Sequence, residues 1–215
     1  MAAQLAEVLP LFEHASASAE GASHASGTST GLVIEELCGR LVEFSGAGGG
    51  RGVLTVAMQV VLWAQQRGEP VAWITNQEST FFPPDAAEGG IDLDALIVVR
   101  VPQVQEVARA ADSLARSGAF GLLVLDLEGG GEVPPPLLTR LQGLARKHDI
   151  IIAFLTEKNA GAPSVGPLVS LRAEISCVRE SPQTDRFRLS SAVLRDKRRA
   201  PGWEWIETCR APAGA

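Results

Sequence analysis

From Arg40 to Leu155 the chain alternates short runs of strand-forming residues with longer segments of helical spacing, and this alternation limits the fold more than any other feature. The runs are Arg40 to Ser45 (RLVEFS), Val71 to Thr75 (VAWIT), Ala95 to Val99 (ALIVV), Leu122 to Asp126 (LLVLD) and Ile150 to Leu155 (IIIAFL). Helical segments fall between them, at Val53 to Arg67, Val104 to Ser117 and Pro136 to His148. Runs this short and this apolar suit strands covered on both faces by helices, as in a parallel sheet. After Gly166 the helical spacing stops, and Ala173 to Arg179, Arg186 to Leu194 and Trp203 to Glu207 read as antiparallel strands closing one edge. The pattern predicts a three-layer α/β fold: a central, mostly parallel sheet, helices on both faces and a C-terminal antiparallel edge.

With 215 residues, 46% hydrophobic and 20% charged, the chain can build one substantial core, expected over residues 31–208. Before it, residues 1–12 read as a short amphipathic helix or docking arm, with Leu5, Val8, Leu9 and Phe12 at helical spacing. Residues 13–30, mostly small and polar, read as a flexible linker, and residues 209–215 as a tail. No stretch approaches the ~18 uninterrupted apolar residues of a membrane span, and no cationic leader precedes an apolar core. A cytoplasmic location is expected. The net charge of -6 argues against bulk nucleic-acid binding. Cys38, Cys177 and Cys209 lie far apart without metal-ligand spacing, which predicts buried reduced thiols rather than a disulfide framework or a metal site.

A strand, a glycine-rich loop and a helix in succession form a cradle for phosphate, because backbone N–H groups and the helix dipole favour an anion there. Here the loop is Gly46-Ala-Gly-Gly-Gly-Arg-Gly-Val-Leu-Thr55. The phosphate-loop motif requires Gly, four residues, then Gly-Lys-Ser/Thr. Counted from Gly46, Arg51 holds the second glycine's place, Gly52 the lysine's and Val53 the hydroxyl's. Gly46, Gly48, Gly49, Gly50, Arg51 and Gly52 therefore read as a degenerate phosphate loop. No lysine reaches the β- and γ-phosphates, and no hydroxyl serves the magnesium ion. ATP binding and hydrolysis are not expected, and neither is a metal or other cofactor. The residues leave two readings of the loop: an anion rest helped by Arg51, or a tight strand-to-helix turn that holds nothing.

Four further segments stand in order: Ser29-Thr-Gly, Gly39-Arg-Leu-Val-Glu-Phe, Gly90-Ile-Asp-Leu-Asp-Ala-Leu, and Asp112-Ser-Leu-Ala-Arg-Ser-Gly-Ala119 leading into Leu122-Leu-Val-Leu-Asp126. In this order and spacing they make the chain resemble the ATPase core of the RecA recombinase family from about Ser29 to Glu207. The resemblance implies that Asp126 stands where an aspartate orders the magnesium water. Gln77 or Glu78 falls where a glutamate activates the attacking water; counting from the preceding strand selects Gln77, and counting back from Gly90 selects Glu78. For Asp126 the competing reading is a solvated acid at a strand end. Within Leu194-Arg-Asp-Lys-Arg-Arg-Ala-Pro201, Arg195 and Lys197 match the two family residues that reach into a neighbouring subunit's nucleotide site. With Arg198 and Arg199 they form the densest positive cluster in the chain. That cluster is a candidate partner interface, with a solvated turn as the alternative.

The family's two DNA-contacting loops correspond to Glu128 to Pro136 and Asn159 to Pro167. These carry almost no Arg or Lys and no aromatic residue for stacking a base, so weak or no direct nucleic-acid binding is expected. With these short loops, the degenerate phosphate loop and an expected lack of a further C-terminal domain, the chain resembles the ImuA branch of the family. That resemblance implies a non-catalytic accessory subunit of damage-induced translesion synthesis. Its implied partners are ImuB and an error-prone C-family polymerase, and RecA itself, whose filament it would cap or inhibit. A weak ATPase using Arg51, Asp126 and Glu78, or a DNA-binding repair module working through the basic turn, are the alternatives. Among the remaining candidates, Trp63 and Trp73 are expected in the core. Trp203 and Trp205, two apart, share a face and either cover the sheet or anchor a partner. His148 ends a helix, where a cation complements the dipole.

Overall fold

A computed structural model of the chain describes residues 12–13, 32–47, 51–77, 81–127, 132–181 and 183–210. Strands β1 (Phe12–Glu13), β2 (Leu41–Ser45), β3 (Val71–Asn76), β4 (Leu96–Val101), β5 (Leu122–Leu127), β6 (Ile151–Thr156), β7 (Leu171–Arg179), β8 (Arg186–Asp196) and β9 (Glu204–Arg210) join in one sheet. Helices α1 (Arg51–Gln66), α2 (Pro83–Glu88), α3 (Val104–Ala115) and α4 (Pro135–His148) accompany it, with a short 3-10 turn at Ile34–Leu37. The strand order is β1-β9-β8-β7-β2-β6-β5-β3-β4. All pairings from β7 through β2, β6, β5 and β3 to β4 are parallel, and those of β8 with β7 and β9 are antiparallel. The expected α/β architecture is thus present. One detail differs: β7 runs parallel to β2, so the direction reverses one strand later than the sequence pattern placed it.

Alternation along each strand divides the core into two halves. Val42, Phe44, Trp73, Val124 and Ala153 join α1 on one face. Leu41, Ile74, Leu123, Leu125 and Phe154 join α3 and α4 on the other. Every residue of β2, β5 and β6 is buried, which explains their near-continuous apolar sequences: helices cover both of their faces. Between α3 and α4, the buried Asp112 accepts from Arg116 at 2.7 Å and from Arg140 Nε at 3.0 Å. Four positions outside the helix layers also matter. β4 is an edge strand with partial helix cover: α3 packs against it and Val99 and Val101 reach the core, yet Ile97 and Val98 are 49% and 37% exposed, so full cover by helices fails there. Helix α2 went unpredicted because six residues beginning Pro83-Pro84 are too short to show a period. Phe12, expected on the arm helix, lies in β1 and pairs with Cys209, since the outer edge of β9 offers backbone partners that a helix does not use. β9 itself runs on to Arg210.

The remaining residues of that arm (Leu5, Val8 and Leu9), most of the expected linker, and the last five residues lie outside the described part. Trp73 is fully buried as expected. Trp63 is only partly buried: its Nε1 donates to Glu35 at 3.1 Å, and the Arg67 guanidinium lies 4.6 Å from its ring centre. Trp203 and Trp205, 5.6 Å apart, cover the α1 face of the sheet, with Trp205 buried and Trp203 partly so. No described helix is long and apolar enough to cross a membrane.

Candidate functional site

β2 delivers the glycine loop at the centre of the sheet. Gly46 N donates to Thr156 O at 3.2 Å, and a Cβ at Gly46 would lie 2.7 Å from the carbonyl oxygen of Ile175. Only glycine fits so close to a neighbouring backbone. Arg51 opens α1, and Gly52 follows within it. A Cβ on Gly52 would stand 3.0 Å from Ile175 Cγ2, 3.1 Å from Cys177 Cβ and 3.2 Å from Leu189 Cδ1. The helix therefore begins pressed against the β7–β8 hairpin at the position where the phosphate-loop motif requires lysine. Val53, in the hydroxyl's place, is 4% exposed and packs into the α1-side core. Gly48, Gly49, Gly50 and Glu78 lie outside the described residues.

Beside the loop, at the C-terminal ends of the central strands, Thr75 Oγ1 donates to Asp126 Oδ2 at 3.1 Å. Asp126, at the end of the inner strand β5, is 5% exposed, so it is not the solvated acid of the competing reading. Gln77 follows β3 directly and is exposed.

The basic segment at the end of β8 forms a separate corner. Arg195 Nη1 donates to Gly166 O at 3.4 Å, and Lys197 Nζ to Pro167 O at 2.5 Å, which puts both heads on consecutive carbonyls of the β6–β7 loop. Asp196, between them in sequence, turns inward to a buried ion pair with Arg40 at 2.6 Å. Arg198 and Arg199 bend away to the 3-10 turn, Arg198 donating to Glu36 O at 2.8 Å and Arg199 pairing with the Glu36 carboxylate. The four cations expected to act together thus divide in two. Burial, Arg195 and Arg146 together hold the Lys197 ammonium below its ordinary 10.5. Arg146, in the last turn of α4, is the residue the sequence reading missed. Its signal was present in the basic run Arg146-Lys-His148, of which only His148 was considered, against the helix dipole.

A second buried charge pair anchors the same loop. Glu43, wholly buried on β2, accepts from Ser164 Oγ at 2.5 Å, Val165 N at 3.0 Å and Thr156 Oγ1 at 3.1 Å. Arg172 donates to Ala162 O at 2.5 Å and Asn159 O at 2.9 Å, with its Nε 3.9 Å from Glu43. This pair therefore fastens the Asn159 to Pro167 loop to the sheet at Asn159, Ala162, Ser164 and Val165. Among the described residues no cluster of His, Cys, Asp and Glu could hold a metal through three side chains.

No protein-family model matches the chain. Over 88 residues, 41% of the chain, it is 36% identical to Protein RecA of Fusobacterium nucleatum, 38% to that of Rhodospirillum rubrum and 39% to that of Kineococcus radiotolerans. The matched segment spans 23%, 24% and 25% of those proteins, about a quarter of their length. This similarity, joined to the parallel core and its antiparallel edge, makes the chain a protein of RecA-like α/β fold.

Proposed function

We propose that this chain is a non-catalytic RecA-like interaction protein of DNA-damage tolerance, an ImuA-type subunit acting with ImuB and an error-prone polymerase. In this reading Arg195, Lys197 and Arg146 face the nucleotide-bearing side of a RecA subunit. The observation that carries the proposal is the packing of Gly52: a side chain there would start 3.0–3.2 Å from Ile175, Cys177 and Leu189 and force them to give way. A chain that presents cations to a neighbour's nucleotide but offers none in return ends an assembly where it binds. Burial, and then the charges of Arg195 and Arg146, depress Lys197; an anionic partner would relieve the repulsive part. The uncovered edge of β4, with Ile97 and Val98 exposed, offers a second contact through strand addition.

The test is a calorimetric titration of the chain into RecA filaments formed with a non-hydrolysable ATP analogue. Saturation at sub-stoichiometric ratios with filament shortening is expected, and the Arg195→Ala/Lys197→Ala double variant loses at least tenfold in affinity. Equal affinity of the double variant removes the model. The retained Thr75–Asp126 pair favours one other reading, a weak nucleotide binder. Millimolar Mg-ATP raising the melting temperature by several degrees supports that alternative, because a ligand of the native state stabilises it by mass action.

A further inference from the structure

The fold sorts charges that the whole-chain count of -6 averages together. Exposed acids gather on one side: Asp85 and Glu88 on α2, then Asp92 and Asp94, in a segment that packs into the α1-side core through Phe81, Ala86 and Ile91. On the other side α3 and α4 lie against each other, and Arg109, Arg116, Arg140, Arg146 and Lys147 are all exposed there. The carboxylates of these two helices are Glu106, half-buried, and Asp112, buried between them. Asp112 takes Arg116 and Arg140, yet their side chains stay 60% and 55% exposed. Arg109, Arg146 and Lys147 pair with no carboxylate among the described residues. Cations in a last helical turn complement the dipole, which accounts for Arg146 and Lys147 but not for Arg109 in mid-helix.

Arg109 and Arg116 stand two turns apart, about 10.5 Å, as do Arg140 and Lys147. With neighbouring helix axes about 8–10 Å apart, the five cations spread over a patch roughly 10 Å on a side. Ser113, Thr139 and Gly143, exposed on the same helices, are small. No large exposed hydrophobic residue and no aromatic ring lies on either helix. A protein partner needs apolar anchors, and a single strand needs rings on which its bases stack. The backbone of a duplex needs charge alone, and about 10 Å of its length carries about six phosphates.

We propose that the outer face of α3 and α4 docks the phosphate backbone of duplex DNA without regard to sequence. Each guanidinium or ammonium donates to a phosphate oxygen and displaces a condensed counterion, and no base edge is read. The net charge, which argues against bulk nucleic-acid binding, is a property of the whole surface; this face opposes it with a local positive field.

The experiment follows the fluorescence anisotropy of a labelled short duplex of arbitrary sequence, titrated with the full chain at increasing salt. Binding is expected at low salt, with log K falling against log salt at a slope of about −4 to −5 for five contacts. Arg109→Gln/Lys147→Gln, whose side chains hold nothing else in the fold, should lose at least tenfold in affinity and flatten the slope by about 2. Arg188→Gln/Arg210→Gln on β8 and β9 makes the same change in net charge and should bind as wild type does. Arg146, Arg195 and Lys197 stay intact throughout, so the corner assigned to a RecA subunit is not what these variants test. The proposal is overturned if wild type does not bind the duplex at low salt, if Arg109→Gln/Lys147→Gln binds as tightly as wild type, or if the β8–β9 variant loses as much. A single strand or a polyglutamate bound as tightly as the duplex also overturns it, the latter by marking the face as one for acidic protein segments.

Discussion

Restoring the lysine of the phosphate-loop motif, Gly52→Lys, tests the central structural claim. Ordinary van der Waals contact begins near 3.4 Å, and the new Cβ meets three atoms at 3.0, 3.1 and 3.2 Å. Two of these end flexible side chains, Ile175 and Leu189, and can shift by a few tenths of an ångström. The third is Cys177 Cβ, which moves only with the backbone of β7, and β7 is paired on both sides. Overpacking of this kind costs about 1–3 kcal/mol. Removing glycine from a helix returns at most about 1 kcal/mol. With the full gain returned the net loss is about 0–2 kcal/mol, or a melting temperature lower by up to roughly 8 °C for a chain of this size. Differential scanning calorimetry with and without Mg-ATP reads both effects, and the variant, alone or with Val53→Thr, should gain no nucleotide-dependent shift. A Gly52→Lys chain as stable as wild type, and stabilised by several degrees with Mg-ATP, refutes the argument: the loop would then lack only a side chain and not the space for one.

Arg172→Met leaves Glu43 buried and unpaired, so it should destabilise the chain by about 3–5 kcal/mol in urea unfolding and expose the Asn159 to Pro167 loop to limited proteolysis. The Arg140 guanidinium, helped by Arg116 and opposed by burial, holds Asp112 below its ordinary 3.8. A carboxylate depressed in the folded state stabilises it above the unfolded value and loses that contribution as pH falls through the folded one. Urea midpoints of wild type should therefore fall below about pH 4, with Asp112→Asn showing a flatter acid limb and lower stability at neutral pH. Ile97→Lys/Val98→Lys on the bare edge should change stability by no more than about 0.5 kcal/mol per site while weakening partner capture in a pull-down; unchanged capture would argue against strand addition at β4.

The sequence by itself determined the layer architecture, because strand and helix periods are local properties of five to fifteen neighbouring residues. The runs from RLVEFS to IIIAFL fell where β2 to β6 stand. Only the tertiary structure decided what surrounds those positions. Gly52 is confined by Ile175, Cys177 and Leu189, more than 120 residues away along the chain, and no local pattern encodes that contact. In the same way, crossovers and register bring Arg146 to Lys197 and bury Asp126 behind Thr75. Strand order places β4 at an edge, although its apolar run reads like that of any inner strand. Such neighbours depend on how the whole chain closes, and closure is a property of the sheet rather than of any segment within it.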